Sequence, residues 1–164
     1  MSYWFDDTAV CVTYVRDLTP EEAFQRLNAT PTDDENLDEY TIAAFTVPGG
    51  VVLAEPNGFA TTLDDIITKL SKGTVVATVF FNVNLDQQFL YAADGTIITQ
   101  FEPDQPEDRS GSDGDALLPQ MRTLQMEEES DLDKAHELAQ LITGLSHPAE
   151  DTEPDLVGEL PEYY

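Results

Sequence analysis

The stretch "TVVATVFFNVNLDQQFLYAADGTIITQF", residues 74–101, decides the fold. It holds three runs rich in β-branched and aromatic residues, at 74–81, 87–93 and 96–101. Such runs favour strands. The connectors are short. "NVNLD" joins the first two runs, and "DG" at 94–95 is the two-residue turn that closes antiparallel hairpins. Parallel strands would need crossovers of roughly a dozen residues. The spacing therefore predicts an antiparallel meander.

The same signals recur upstream. "YTIAAFTV" (40–47) and "VVLAEP" (51–56) flank "PGG" and read as a second hairpin. "TAVCVTYV" (8–15) is apolar on both faces and reads as a central strand. Helices fill the gaps. Thr19 is a good N-cap, Pro20 falls at the first helical position, and Glu22 completes a capping box; Phe24 and Leu27 give the buried side. Thr62 and Asp65 suggest a second box before the stripe Leu63, Ile66, Ile67 and Leu70, with Gly73 as the stop. Residues 115–126 and 131–145 read as two more helices. Ser130 and Asp133 open the second, and Leu132, Ala135, Ala139, Ile142 and Leu145 line it. The predicted order is β-α-β-β-α-β-β-β-α-α. This is an α+β domain with a mostly antiparallel sheet of five to six strands and helices packed on one face. The domain is expected over 1–147, with 148–164 as an acidic, extended tail.

At 164 residues the chain suits one domain with a proper core. No apolar run approaches the ~18 residues of a membrane span. "MSYWFDDTAV" has neither the basic region nor the apolar core of a signal peptide. The single cysteine, Cys11, cannot form an internal disulfide and suits a reducing cytoplasm. The charge dominates everything else. There are 33 acidic residues against seven basic ones, a formal net charge of −26. Residues 102–164 hold more than half of the acids but only Arg109, Arg122 and Lys134 among the cations. Such a field repels nucleic acid and anionic lipid and attracts cationic partners. Adaptation to high salt would give the same composition.

"DRSGSDGDALLP" (108–119) crowds acids, serines and glycines before an apolar run. A calcium loop needs oxygen ligands at positions 1, 3 and 5 and glycine at 6. Gly114 at position 6 puts Arg109 at 1; Gly111 there puts Pro106 at 1. Neither register works. A helix lip fits better, with Asp115 as N-cap and Asp113 favoured by the helix dipole. His136 and His147 lie eleven apart, which is no zinc spacing, and no phosphate-binding glycine loop is present. No metal, cofactor or catalytic group is expected, and Cys11 reads as a core thiol.

A few residues remain as binding candidates. Glu55, in "EPNG", sits among apolar neighbours. It either faces an edge or is a partnered buried acid, with Arg16 or Arg109 as the partner. Asn57 supplies the turn that follows. Tyr3, Trp4 and Phe5 form an aromatic set suited to a core lid or to a binding anchor. Arg109 is the lone cation of an acidic loop.

The ordered strings "VCVTYVRDLTPEEAFQRL", "AEPNGF", "LSKGTVVATVFFNVN", "FLYAADGTIITQFEP" and "DRSGSDGDALLPQM" resemble an uncharacterised family of actinobacterial proteins, a domain of unknown function. A tryptophan near the N-terminus, like Trp4, belongs to the same pattern. The resemblance covers roughly residues 3–126 and, more weakly, the helix near 131–145. It implies no activity, ligand or catalytic residue.

These features lead to one expectation and two alternatives. The expectation is a non-enzymatic, cytoplasmic, acidic domain that binds a basic protein partner, as an immunity or inhibitor protein does, with DNA mimicry as the extreme form. The first alternative is a small enzyme or small-molecule binder with a pocket near Glu55, Asn57 and Arg109. The second is acidity that reflects salt adaptation only.

Overall fold

The computed structural model describes residues 10–33, 40–56, 58–149 and 151–161. The elements in chain order are β1 (Val10–Arg16), α1 (Pro20–Leu27), β2 (Thr30–Pro31), β3 (Thr41–Val47) and β4 (Gly50–Pro56). A 3-10 turn (Ala60–Thr62) then leads into α2 (Asp64–Leu70). The rest are β5 (Val75–Phe81), β6 (Gln87–Ala93), β7 (Thr96–Glu102), β8 (Gln105–Ser110), α3 (Leu118–Thr123), α4 (Leu132–Thr143) and β9 (Leu156–Glu159).

All strands join one antiparallel sheet in the order β2-β9-β3-β4-β1-β5-β6-β7-β8. The central strand predicted over 8–15 is indeed the middle one, flanked by β4 and β5. The meander is β5-β6-β7, closed between β6 and β7 by Asp94 (φ 46°) and Gly95 (φ 79°). Positive φ at both positions matches the right-handed twist of the paired strands.

The expected five to six strands are corrected to nine among the described residues. The three additions lie at or near the sheet margins, and each has a physical reason for escaping notice. β2 is two residues long. β8 carries Pro106, Glu107 and Asp108, the charges and proline that blunt an edge rather than announce a strand. β9 lies in the segment expected as an extended tail. It inserts between β2 and β3, and its entry is fixed by Asp155, whose carboxylate accepts from Thr46 N while its N–H donates to Ala44 O. Gly158 suits that slot, because a Cβ there would meet the Phe24 ring at 2.6 Å.

The helices cover both faces, not one. Alternation along β1 makes this possible. Val10, Val12 and Tyr14 face α3 and α4 with Phe45, Val79, Met121 and Leu138. Val15 faces α1 and α2 with Phe24, Leu53, Ile67 and Leu70. A sheet covered on both sides buries every position of its central strand. In β1 the six residues Val10 to Val15 are all buried, with Thr13 hydrogen-bonded.

One of the three predicted capping boxes forms. The Thr19 hydroxyl accepts from Glu22 N while the Glu22 carboxylate accepts from Thr19 N. The Thr62–Asp65 box does not form: Thr62 belongs to the 3-10 turn, its hydroxyl bonding Phe59 O, and the N-cap position of α2 falls on Leu63, which has no side-chain oxygen to accept. At α4 the N-cap is Asp131, one residue beyond Ser130, and it accepts from Lys134 N. A carboxylate there also suits the helix dipole. The helix expected over 115–126 shortens to α3, and its N-cap position falls on Leu117 rather than Asp115.

Candidate functional site

Two buried polar clusters interrupt the apolar layers, one on each face of β1. Glu55 anchors the first. It stands opposite Cys11 in the β1–β4 ladder and is 1% exposed. Glu55 is thus neither edge-facing nor paired with an arginine. Its carboxylate accepts from Ala60 N (2.9 Å), Thr61 N (3.2 Å) and Thr61 Oγ1 (2.7 Å). Burial raises its pKa, and the bonds from Thr61 and Ala60 oppose that shift. Each hydroxyl has one proton to give. Thr61 spends its own on Glu55, and Thr13 donates to Thr61 at 2.8 Å. Thr78, 3.2 Å from Thr13, must then donate to Thr13. The result is a one-way chain, Thr78 to Thr13 to Thr61 to Glu55. Cys11 Sγ lies 2.9 Å from Thr61 Oγ1, and with the Thr61 proton committed elsewhere the thiol is the donor. Burial and the Glu55 charge push the Cys11 thiol pKa well up. It is a free core thiol, unsuited to nucleophilic work.

The second cluster was not visible in the sequence. Tyr14 OH lies 2.8 Å from His136 Nδ1 and 3.0 Å from His147 Nδ1. A phenol has one proton. It donates to one imidazole and accepts from the other, so the rings hold opposite Nδ1 states. Gln140 ties the same parts together: its amide donates to His136 O, and its carbonyl accepts from His147 N. Burial lowers the His136 pKa to about 4, with the His147 charge adding to the shift. Burial also lowers His147 and raises Tyr14. Only the apolar setting of Tyr14 hinted at this cluster, since a buried tyrosine hydroxyl needs a partner.

The other sequence candidates separate. Arg109 and Asp115 meet: Arg109 Nε and Nη2 reach Asp115 Oδ1 at 3.1 and 3.0 Å, and Nη1 donates to Pro106 O at 2.7 Å. Asp113 is exposed, five residues before α3. Glu55 on β4 and Arg109 on β8 are five strand spacings apart, ~24 Å. Trp4, its neighbours Tyr3 and Phe5, and Asn57 lie outside the described residues. Among the described residues no three His, Cys, Asp or Glu side chains converge as a metal site would require. No helix among them is long and apolar enough to cross a membrane. An open trough of about 350 Å³ runs along β6–β8, lined by residues including Gln88, Gln100, Glu102, Gln105 and Asp108.

Arg109 joins β8 to the turn that follows it, so Arg109→Ala is expected to lower unfolding free energy by about 1–2 kcal/mol in urea titrations. Wild-type stability in that variant would mean the guanidinium contacts contribute nothing and the side chain is available for binding.

The geometry defines an acid-coated, doubly covered antiparallel sheet whose reactive side chains are engaged in internal hydrogen bonds. The chain belongs to a family of unknown function, DUF6461, whose model matches residues 31–145. The match starts beyond the first strings that suggested a family and runs through α4. No curated protein and no solved structure matches the chain.

Proposed function

We propose that the chain is a non-enzymatic, cytoplasmic domain that covers a basic surface of another protein, in the manner of an immunity or inhibitor protein. The observation that carries this reading is the distribution of charge. Every described acid is exposed except Glu127, half-buried, and Glu55, buried. Three of the seven cations, Arg26, Arg109 and Lys134, are half-buried, and several of the seven are engaged by the chain itself. Arg26 donates to Leu70 O and Lys72 O, Lys134 to Leu124 O and Gln125 O, while Arg109 and Arg122 hold carboxylates. The outward field is therefore negative and selects cationic surfaces. The free, buried Cys11 supports a reducing compartment. The ordered strings support an actinobacterial origin for the family.

The test is capture of binding proteins at low and high salt, followed by association kinetics on what is captured. A basic nuclease or nucleic-acid-binding protein is expected, with an association rate that falls tenfold or more, on the order of the loss of electrostatic steering, as salt rises. If no basic protein is captured and the fold is stable only in concentrated salt, the acidity is salt adaptation and this reading falls.

A further inference from the structure

The β5–β6 connection, residues 82–86, presents two aliphatic side chains to water. Val83 is 68% exposed and Leu85 is 83% exposed. The tip that carries them is closed by its own hydrogen bonds. Asn82 Oδ1 accepts from Asn84 N and Asp86 N, and Asn82 Nδ2 donates to Asp86 Oδ2. Asn82 N donates to Asp86 O, and Leu85 N to Asn82 O. Leu85 itself has φ 68°. A branched side chain gains nothing from this left-handed backbone and is destabilised by it. Asparagine or glycine would relieve the strain without changing the loop. Strain of this kind, at a residue with no intramolecular burial to compensate it, points to selection for something other than folding.

The charge around the tip has a direction. β6 runs antiparallel to β5 and β7, so the 82–86 tip and the β7–β8 turn at Pro103–Asp104 share one end of the sheet. Asp86, Glu102 and Asp104 there are exposed. Arg16, opposite Gly50, lies at the other end, and so do Arg26 and Lys72, which meet near the β6–β7 turn. One end thus offers a small apolar prominence among carboxylates.

We propose that this end is the docking surface, with Val83 and Leu85 seated in an apolar depression of the partner and Asp86, Glu102 and Asp104 meeting lysines and arginines on its rim. This rests on the reading of the chain as an acidic protein-binding domain and adds where, and by what chemistry, it binds. An apolar anchor inside a charged rim is a common division of labour at interfaces.

The probes are two helical peptides of equal length and charge, one with a lysine face and a leucine face, the other with glutamine in place of leucine. Binding is measured by calorimetry at low salt to the wild type, to Val83→Ser/Leu85→Asn and to Leu141→Ser. Leu141, 50% exposed on α4, controls for nonspecific apolar contact. The double variant is expected to lose tenfold or more for the leucine peptide, about the lower limit for one buried aliphatic side chain. It should keep its affinity for the glutamine peptide, and Leu141→Ser should change neither. Its melting temperature should equal or exceed the wild type's, because asparagine suits the φ of Leu85. Equal affinity of wild type and double variant for the leucine peptide overturns the anchor but leaves the electrostatic reading standing, as does an equal loss in Leu141→Ser. Failure of both peptides to bind the wild type overturns both.

Discussion

Glu55→Ala is expected to cost about 3–5 kcal/mol of folding free energy, measured by urea denaturation at neutral pH. The reason is what the carboxylate leaves behind. Ala60 N, Thr61 N and the Thr61 hydroxyl all point at it in a site closed to water. Each buried donor left without an acceptor costs about 1–3 kcal/mol, and the costs overlap because the donors share one loop. Glu55→Gln should cost less, about 1–2 kcal/mol, since its carbonyl oxygen can still accept while its NH2 faces a donor. The sign of the pH effect separates the two forms. The folded pKa of Glu55 is raised, so the folded state binds the proton before the unfolded chain does as pH falls. Wild type should therefore gain stability relative to Glu55→Gln on going from neutral pH towards the ordinary carboxylate range. A Glu55→Ala variant as stable as wild type would show that water reaches the site.

That cluster also marks how far the sequence could be read. The meander, the 40–56 hairpin, the central β1 and the α1 capping box follow from local periodicity and turn chemistry, and all four formed. β2, β8 and β9 could not be found this way. Their pairing is decided by tertiary contacts such as Asp155 with Thr46 and Ala44, 109 residues apart for the side-chain bond. Helices on both faces were in principle legible. Val10, Val12 and Tyr14 alternate with Cys11, Thr13 and Val15, and neither set is suited to water. Glu55 was recognisable as anomalous, but its partners were not, because threonines and backbone amides carry no charge signal. The Tyr14–His136–His147 cluster lay further out of reach. It joins β1 to α4 across 122 residues and to the segment beyond α4 across 133.

The Tyr14 cluster should make the α4 face sensitive to acid. His136 has a folded pKa of about 4 against an unfolded value of 6.5. As pH falls, the unfolded chain takes up the proton first. The stability contributed by the neutral ring is thus fully present above about pH 6.5 and is lost as pH falls towards 4, by ~1.4 kcal/mol per pH unit. The whole loss is ~3 kcal/mol, and His147 shifts in the same direction. Glu55 acts with the opposite sign, and protonating surface acids relieves the self-repulsion of the −26 chain. The effect must therefore be read as a difference. Between pH 7 and pH 4.5 the stability advantage of wild type over His136→Gln should shrink by about 2–3 kcal/mol, because glutamine does not titrate. Imidazole NMR titrations give the direct check. The His136 midpoint is expected near 4 and that of His147 below 6.5; midpoints of 6.5 for both would show open, solvated rings. Geometry explains why the second proton is resisted most. The ring centroids lie 5.7 Å apart across one phenol, and two imidazolium ions there would repel with little water between them.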